Sequence, residues 1–364
     1  MKIKQIIEYL ESIAPLEYQE SYDNSGLLIG DKHLTLTSAL ITLDCTEEVL
    51  EEAIINKCNL IITHHPIIFN PIKKLNGSNY TERVIIKAIK NDIAIYAIHT
   101  NLDNIINGVN GQIADKLKLE NRQVLLPKSD LLRQLVVYCP TDHADVLRKT
   151  LFNAGAGAIG NYKNCSFSLI GKGTFKAMRN ANPYSGDIEQ DHVENEERIE
   201  VVYFKDNEKS ILDAMIKCHP YEEVAHQIYA ITNKYKSIGS GIIGELKEEM
   251  NSNDFLDSLK RIMKVNTIRH TSLIKKHVKT IALCGGSGSF CLDVAKRIGA
   301  DIFISSDFKY HEFFNADNQI VIADIGHYES EQYTKELIYN FLVEKFTKFA
   351  GRISKINTNP IKYL

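Results

Sequence analysis

Apolar residues in the first third of the chain alternate between helical spacing and short continuous runs. Residues 3–13 place isoleucines and a leucine on one face, which predicts an amphipathic helix. Further helices are predicted to begin at Thr46 and Thr81. Short apolar runs between these helices predict buried strands at 39–43, 59–63 and 93–99. Strands that alternate with helices in this way indicate an α/β fold with a mostly parallel sheet.

The last third of the chain repeats the same alternation. Apolar runs predict three further strands at 280–284, 301–305 and 319–325. A glycine-rich turn at 285–289 and a helix from Cys291 follow the first of these strands. The last strand leads into a long predicted helix from His327 to about Phe346. The two ends of the chain therefore predict two parts of one α/β domain.

Between these two parts the order of predicted elements changes to β-α-β-β-α-β. The elements are strands at 133–139, 166–175, 198–204 and 225–231 and helices at 141–153 and 208–218. A polar, acidic stretch at 180–197 is predicted to be a solvated loop. This order is typical of a ferredoxin-like α+β domain. We therefore predict an α/β domain formed by 1–127 and 246–364, divided in sequence by an inserted domain at 128–245.

Composition and charge narrow the class of protein. Of the 364 residues, 44% are hydrophobic and 24% are charged, as in ordinary globular proteins. The net charge of -3 argues against a dedicated nucleic-acid binder, because such proteins usually carry a basic excess. No apolar run reaches the roughly 18 residues of a membrane span, and the first residues do not resemble a signal peptide. The seven cysteines form no CxxC pair, which favours reduced, buried thiols in a cytoplasmic protein.

Residues that bind metals follow several of the predicted strands. In an open α/β sheet, ligands bind at the carboxyl ends of the strands. The candidates at or just beyond these ends are His64, His65, His99, Asp103, His327, Glu331, Asp44 and Asp307. Imidazole and carboxylate donors suit zinc, iron, manganese, nickel or cobalt. Since these donors exceed what one catalytic ion usually takes from a protein, we predict two adjacent divalent ions.

Two other motifs are weaker candidates for chemistry. The CGGSGSF segment at 284–290 could cradle a phosphate, but it lacks the complete glycine patterns of known phosphate loops. A tight turn between a strand and a helix is the simpler interpretation. The HPYEE segment at 219–223 could bind a metal, but its place in the middle region favours a turn before a strand.

Six motifs at the two ends of the chain occur together. They are SYDNSGLLIG (21–30), ITHHPIIF (62–69), HTNLDNIINGVN (99–110), CGGSGSF (284–290), ISSDFKYHEFFNA (304–316) and ADIGHYESE (323–331). With them the chain resembles the NIF3-like family, also called GTP cyclohydrolase 1 type 2 homologs. The usual Trp of the first motif is Tyr22 here. The segments SFSLIGKGTFKA (166–177) and HPYEEVAHQIYA (219–230) resemble the PII-like or CutA-like insert of longer bacterial members.

The resemblance implies a homohexamer, a toroid of stacked trimers with a di-metal site in each subunit. The implied metal ligands are His64, His65, Asp103, His327 and Glu331, of which Glu331 would bridge the ions. Asp44 and Asp307 are then not direct ligands. His99 becomes a residue that faces the substrate or supports the ligands, a candidate acid or base, and His311 is a weaker candidate.

Three functions are compatible with this reading. The first is a metal-dependent hydrolase of a nucleotide-like or heterocyclic substrate, as the name cyclohydrolase implies. The second is a non-catalytic metal-handling or regulatory hexamer, which the PII-like insert favours. The third, a ring that threads nucleic acid, is disfavoured by the acidic charge balance. The identity of the metal, among zinc, iron and manganese, and that of the substrate stay open, and no membrane association is expected.

Overall fold

The computed structural model describes residues 1–364 and divides them into two units. The first unit comprises Met1–Lys128 and Lys236–Leu364, and the second is Ser129–Tyr235. The helices of the first 128 residues are α1 (Ile3–Ile13), α2 (Glu47–Ile55), α3 (Tyr80–Lys90), α4 (Thr100–Asp103) and α5 (Val109–Lys116). The strands of this part are β1 (Gly26–Ile29), β2 (Ala39–Thr42), β3 (Leu60–Thr63), β4 (Ala94–Ala97) and β5 (Glu120–Lys128).

The second unit is a four-stranded antiparallel sheet with two helices. Its elements are β6 (Leu132–Pro140), α6 (Ala144–Asn153), β7 (Phe167–Lys176), β8 (Asp191–Phe204), α7 (Glu208–Cys218) and β9 (His226–Ile231). The strands lie in the order β7-β8-β6-β9. Leu135, Val137, Ile199 and Val201 form a core with α6 and α7 on one face of the sheet.

The remaining elements return to the first unit. The strands are β10 (Tyr235–Asn251), β11 (Arg269–His270), β12 (His277–Ser287), β13 (Ile302–Ser306), β14 (Val321–Asp324) and β15 (Gly351–Ile353). The helices are α8 (Ser252–Ile262), α9 (Leu292–Ile298), α10 (His327–Glu331) and α11 (Thr334–Lys345).

Two sheets form the first unit. The five-stranded sheet has the order β1-β4-β3-β2-β15, in which all neighbours are parallel except the edge strand β1. The six-stranded sheet has the order β11-β14-β13-β12-β10-β5, with β12, β13 and β14 parallel at its centre. The mostly parallel arrangement predicted from the alternation of strands and helices is therefore present in the five-stranded sheet. The six-stranded sheet is mixed, because β11 and β10 pair antiparallel with β14 and β12.

Adjacent residues of the central strands pack into cores on opposite faces, as the two-residue period of a strand requires. In β3, Ile61 packs with α2 and α3, whereas Ile62 packs in the large core that both sheets share. In β13, Phe303 packs with α9, and Ile304 faces the shared core. Both faces are covered, which explains why these strands read as continuous apolar runs in the sequence.

Three predicted elements differ from the structure, namely a helix, a loop and a turn. The helix predicted at 327–346 is two helices, separated where the Tyr333 hydroxyl donates to the Ile262 carbonyl at 2.6 Å and Gln332 donates to the Met263 carbonyl at 2.7 Å. The loop predicted at 180–197 is wrong in its second half, because β8 begins at Asp191 and pairs with β7. Polar residues are tolerated in that part of β8, since many of its side chains are exposed.

The predicted turn at 285–289 also begins too early, because β12 continues through Ser287. All seven cysteines are free, and five of them are buried. No helix of the structure combines the length and the apolar character needed to cross a bilayer.

Candidate metal centre

His64 and His65 follow directly from β3, at the edge where the parallel strands end. The His65 N–H donates to the Leu43 carbonyl at 2.9 Å, and the Thr63 hydroxyl donates to the same carbonyl at 2.8 Å. These bonds fix the backbone at the carboxyl end of the sheet, beside the residue after β2. Both imidazole rings therefore leave the sheet from a rigid position rather than from a loose loop.

The fully buried ring of His64 has one nitrogen without a hydrogen-bond partner. Its Nδ1 lies 2.8 Å from the Ile98 carbonyl, which can only accept, so Nδ1 carries the proton. The other nitrogen, Nε2, has no hydrogen-bond partner. It lies 3.6 Å from Asp103 Oδ1 and 3.8 Å from Glu331 Oε1. A buried ring nitrogen that has no partner and faces two carboxylates fits a cation site, because burial of a polar atom without a partner is costly.

His65 and His327 are each held by a carboxylate behind the ring. His65 Nδ1 lies 2.8 Å from Asp44 Oδ1, and His327 Nδ1 lies 2.6 Å from Asp307 Oδ2. The opposite nitrogens, both Nε2, lie 2.9 and 3.1 Å from Glu331 Oε2 and 3.3 Å from each other. Carboxylates in this position orient metal-binding imidazoles and raise their basicity. The structure thus places Asp44 and Asp307 behind the cluster, not within it.

Glu331 lies at the centre of the cluster, and Gly286 leaves room for it. Glu331 is buried, and a Cβ atom at Gly286 would lie 2.3 Å from its Oε1. Gly286 has φ +64°, a left-handed conformation that favours glycine. Its N–H donates to the Ser330 hydroxyl at 2.8 Å. Sequence reasoning missed this role, although the glycine-rich segment was the available signal.

The charges of the cluster are strongly coupled. Burial would lower the pKa of His65, but the charge of Glu331 and bonds to Asp44 and Glu331 raise it to about 10. The same causes, with Asp307 in place of Asp44, raise the pKa of His327 to about 11 against the effect of burial. Burial and the charge of Glu331 raise the pKa of Asp103 to about 7. The cluster therefore attracts positive charge, which either protons on these side chains or bound metal cations can supply.

The donor set fits a metal. Two buried atoms in the cluster have no hydrogen-bond partner, namely His64 Nε2 and Asp103 Oδ1. Donor atoms of His65, His327 and Glu331 all lie within 4.8 Å of one another. Nitrogen and carboxylate oxygen are the donors that zinc, iron and manganese accept. All five ligands implied by the resemblance are thus brought together, from both sheets of the first unit.

His99 lies beside this cluster and is held by Asp23. Its Nδ1 lies 2.7 Å from Asp23 Oδ1, and its ring centroid lies 5.2 Å from that of His64. The Asp23 side chain is fully buried and accepts bonds from the N–H groups of Asn24 and Thr100. Burial would raise the pKa of Asp23, but its bonds and the charge of His99 lower it strongly. Sequence reasoning missed Asp23, although it lies in the SYDNSG motif.

Two other candidate histidines lie outside the cluster. His311 is exposed in a short 3-10 helix, Tyr310–Ala316, where its ring contacts those of Tyr310 and Phe314. His219 belongs to the second unit, and its Nε2 donates to the Tyr138 carbonyl at 2.9 Å. The HPYEE segment is therefore held by hydrogen bonds to backbone groups.

A cavity of about 510 Å³ opens above the cluster. His65, His99, Asp103, His327 and Glu331 all line it. Aromatic side chains from separate segments line it too, among them Tyr22, Phe69 and Phe290. Its volume lies in the range of small-molecule sites. A substrate in this cavity would contact both the candidate ligands and His99.

Comparisons with known proteins agree over the whole chain. The family model described as Duf34/NIF3 (NGG1p interacting factor 3) matches residues 1–360. A protein of Bacillus subtilis (strain 168) named GTP cyclohydrolase 1 type 2 homolog is 38% identical, with 99% of this chain and 98% of that protein covered. A Staphylococcus epidermidis protein of the same name is 36% identical, with full coverage of both chains, 100% each. The solved structure of a Bacillus cereus protein related to NIF3 gives a TM-score of 0.82 at 36% identity, covering 100% of this chain and 99% of that chain. The chain belongs to the Duf34/NIF3 family.

Proposed function

We propose that the protein is a metal-dependent hydrolase that acts on a nucleotide-like or heterocyclic substrate. The observation that carries this proposal is the pair of buried ligand atoms without a hydrogen-bond partner, His64 Nε2 and Asp103 Oδ1, beside the buried carboxylate of Glu331. A cavity of about 510 Å³, lined by Asp103 and Glu331 among others, gives a substrate access to the cluster. The name of the relatives, GTP cyclohydrolase 1 type 2 homolog, supports the same class of reaction.

Two divalent ions, of zinc, iron or manganese, would be held by His64, His65, Asp103, His327 and Glu331. The two oxygens of Glu331 face different histidines, since Oε1 is 3.8 Å from His64 and Oε2 is 2.9 Å from His65. This supports a bridging role for Glu331. Asp103 and His64 would complete one site, and His65 and His327 the other. When bound, such ions polarise a substrate oxygen and activate water at neutral pH.

His99 would supply the proton transfer that hydrolysis requires. Asp23 occupies its Nδ1, so the Nε2 atom is the nitrogen left to exchange a proton with a substrate in the cavity. General acid–base catalysis by a positioned histidine typically contributes about 10²–10⁴-fold to the rate. The buried carboxylate of Asp23 would fix the tautomer and the orientation of the ring.

The experiment combines metal analysis with a substrate panel. Protein purified without added metal is analysed for bound ions and then assayed on nucleotides and pterins with each candidate metal. We expect two ions per chain and metal-dependent turnover, with both reduced in His65→Ala and unchanged in His33→Ala, an exposed histidine. Wild-type protein without metal, or equal metal content in His65→Ala, would contradict the proposal.

A non-catalytic role in metal handling or regulation is the second candidate. The observation that favours it is the second unit, Ser129–Tyr235, which has its own sheet and core. We propose that this unit is an inserted ferredoxin-like domain of the PII-like or CutA-like type, within 128–245. Its element order and the sheet order β7-β8-β6-β9 support this. This role predicts readily exchanged metal and no turnover with any substrate of the panel.

We also propose that the protein acts in the cytoplasm as a homohexamer of stacked trimers, without nucleic acid as a partner. Seven free cysteines support a reducing compartment, and the net charge of -3 argues against a phosphate backbone as the ligand. Sedimentation equilibrium is expected to give six times the mass of the chain. A monomer or dimer at micromolar concentration would contradict the assembly.

A further inference from the structure

We infer that the cavity above the cluster selects a flat, uncharged heteroaromatic compound, such as a nucleobase or nucleoside, over a nucleoside triphosphate. The inference rests on the proposed function in taking this cavity as the substrate site. It goes further by assigning the chemical class of the substrate. Two independent observations support it, the aromatic rings of the cavity and the charge of its walls.

Large aromatic side chains of the cavity are exposed to solvent. Tyr22 is 61% exposed, Phe69 46% and Phe290 54%, and all three line the cavity. The rings of Tyr22 and Phe69 have centroids 6.3 Å apart and are tilted by 44°. These residues come from three separate segments, before β1, after β3 and after β12. Exposed rings that converge on one cavity offer faces on which a planar heterocycle can stack.

The cavity lining lacks the two long cationic side chains, although Ser240, Ser287 and Asn110 offer neutral hydrogen-bonding groups. Its lining includes the carboxylates of Glu20, Asp44, Asp103 and Glu331, but no lysine and no arginine. Lysine and arginine are the side chains that most often bind phosphate groups, through charge-assisted hydrogen bonds. A polyphosphate in this cavity would meet carboxylates instead.

Lys128, the cation that pairs with Glu20, already has three acceptors. Its ammonium lies 2.8 Å from Glu20 Oε1 and 2.9 Å from each of the carbonyls of Tyr18 and Gln19. An ammonium group has three protons to donate, so these contacts use all of them. Lys128 therefore cannot bind a phosphate without breaking these bonds.

Two bound divalent ions would not turn the excess of carboxylates around the cavity into an excess of positive charge. They would bring four positive charges to the cluster. The carboxylates of Asp44 and Asp307, behind the histidines, and those of Asp103 and Glu331, within the cluster, offset them. By this count the charges cancel, so a triphosphate would be held at the loaded site only through direct coordination to the ions. An uncharged ring system loses nothing by this and gains the stacking surface.

The test measures binding rather than turnover. Full-length, metal-loaded protein is titrated with 2-aminopurine riboside and with its 5′-triphosphate, and stacking is followed by quenching of 2-aminopurine fluorescence. The chain contains no tryptophan, which keeps the protein background low. We expect the riboside to bind at least about tenfold more tightly than the triphosphate, as expected from the absence of cationic side chains.

Variants separate stacking from general effects on the fold. Tyr22→Ser is expected to weaken riboside binding about tenfold, the effect of losing one stacking partner, whereas Tyr22→Phe keeps the ring and the affinity. Tyr310→Ser removes a ring that is 73% exposed but lies outside this cavity, and it is the matched control. None of these side chains is a candidate metal ligand, so we expect the same metal content in every variant. Metal content is measured to check this.

Tighter binding of the triphosphate would overturn the inference. So would the absence of quenching by either compound, or equal riboside affinity in Tyr22→Ser and wild type. Failure of the proposed function has a different signature, namely no metal-dependent turnover on any substrate. Riboside binding that depends on Tyr22 in a protein without turnover would support the inference while contradicting the hydrolase.

Discussion

Gly286 and Glu331 are so close that a single methyl group on the glycine would lie 2.3 Å from the glutamate Oε1. Gly286→Ala is therefore expected to displace the central carboxylate and to lower metal affinity about 10–100-fold, as when the support of a ligand is lost. Competition with a chromogenic chelator measures the affinity.

Gly299→Ala is the matched control for this change. Gly299 also has a left-handed φ, +84°, but nothing lies within 4 Å of the added Cβ. Both variants share a backbone strain of roughly 1–2 kcal/mol, so only the contact with Glu331 differs. Equal metal affinity in the two variants would show that Glu331 does not need a glycine at position 286 to bind metal.

Asp307→Asn tests the carboxylate behind His327. The amide oxygen can still accept a hydrogen bond from the ring N–H of His327, but it carries no charge. The imidazole therefore becomes a weaker metal ligand. We expect roughly a tenfold or larger loss of metal affinity at neutral pH, measured by isothermal titration calorimetry. Asp317→Asn, at an exposed position, should leave the affinity unchanged. A wild-type affinity in Asp307→Asn would argue against support of His327 by this carboxylate.

Asp23 and His99 are expected to act as one unit in turnover. His99→Gln should lower the rate of hydrolysis by about 10²-fold or more, and Asp23→Asn should lower it through loss of ring orientation. Since both changes disable the same group, the double variant should be no slower than His99→Gln. Kinetic assays at saturating substrate, with metal content and melting temperature as controls, test this. Additive losses would mean that the two residues act separately.

Asp301 is expected to contribute to the dependence of stability on acid pH. Burial would raise its pKa, but a bond from Lys275 and the N–H groups of Lys279 and Thr280, at 2.8 and 2.9 Å, lower it. A carboxyl group whose folded pKa is depressed stabilises the protein above its unfolded pKa, about 3.9. That stabilisation is lost as the pH falls through the lower folded pKa.

Urea unfolding of wild type and Asp301→Asn at several pH values measures this contribution. Wild type should be the more stable protein at pH 7, and the difference should shrink below about pH 4. A difference that stays constant down to pH 2 would contradict this origin of the acid sensitivity.

Much of the fold followed from patterns that act locally. The strand before His64 and the helix at residues 3–13 follow from runs and spacing of apolar residues. The five histidines and acids of the cluster were nominated because strand ends in such sheets face one edge. Local sequence patterns could not predict contacts between residues that are far apart in the chain. Asp23 binds His99 from 76 positions away, and the Tyr333 hydroxyl, between the two helices, donates to a carbonyl 71 positions away.

The same reasoning explains the error in β8. Its first residues are polar and resemble a loop in isolation, and only pairing with β7 makes them a strand. Burial on one side is not needed for that pairing, because the ladder satisfies the backbone groups by itself.

The division of the cluster between the two ends of the chain has a consequence for how the protein could be taken apart. His64, His65 and Asp103 lie before the second unit, and His327 and Glu331 lie after it. A protease cut within Ser129–Tyr235 would thus leave one fragment with three donors and another with two. The large core that both sheets share would favour reassembly of the fragments. A metal ion with ligands from both fragments would stabilise their complex further. A chelator would then weaken the association of the two pieces of a nicked protein.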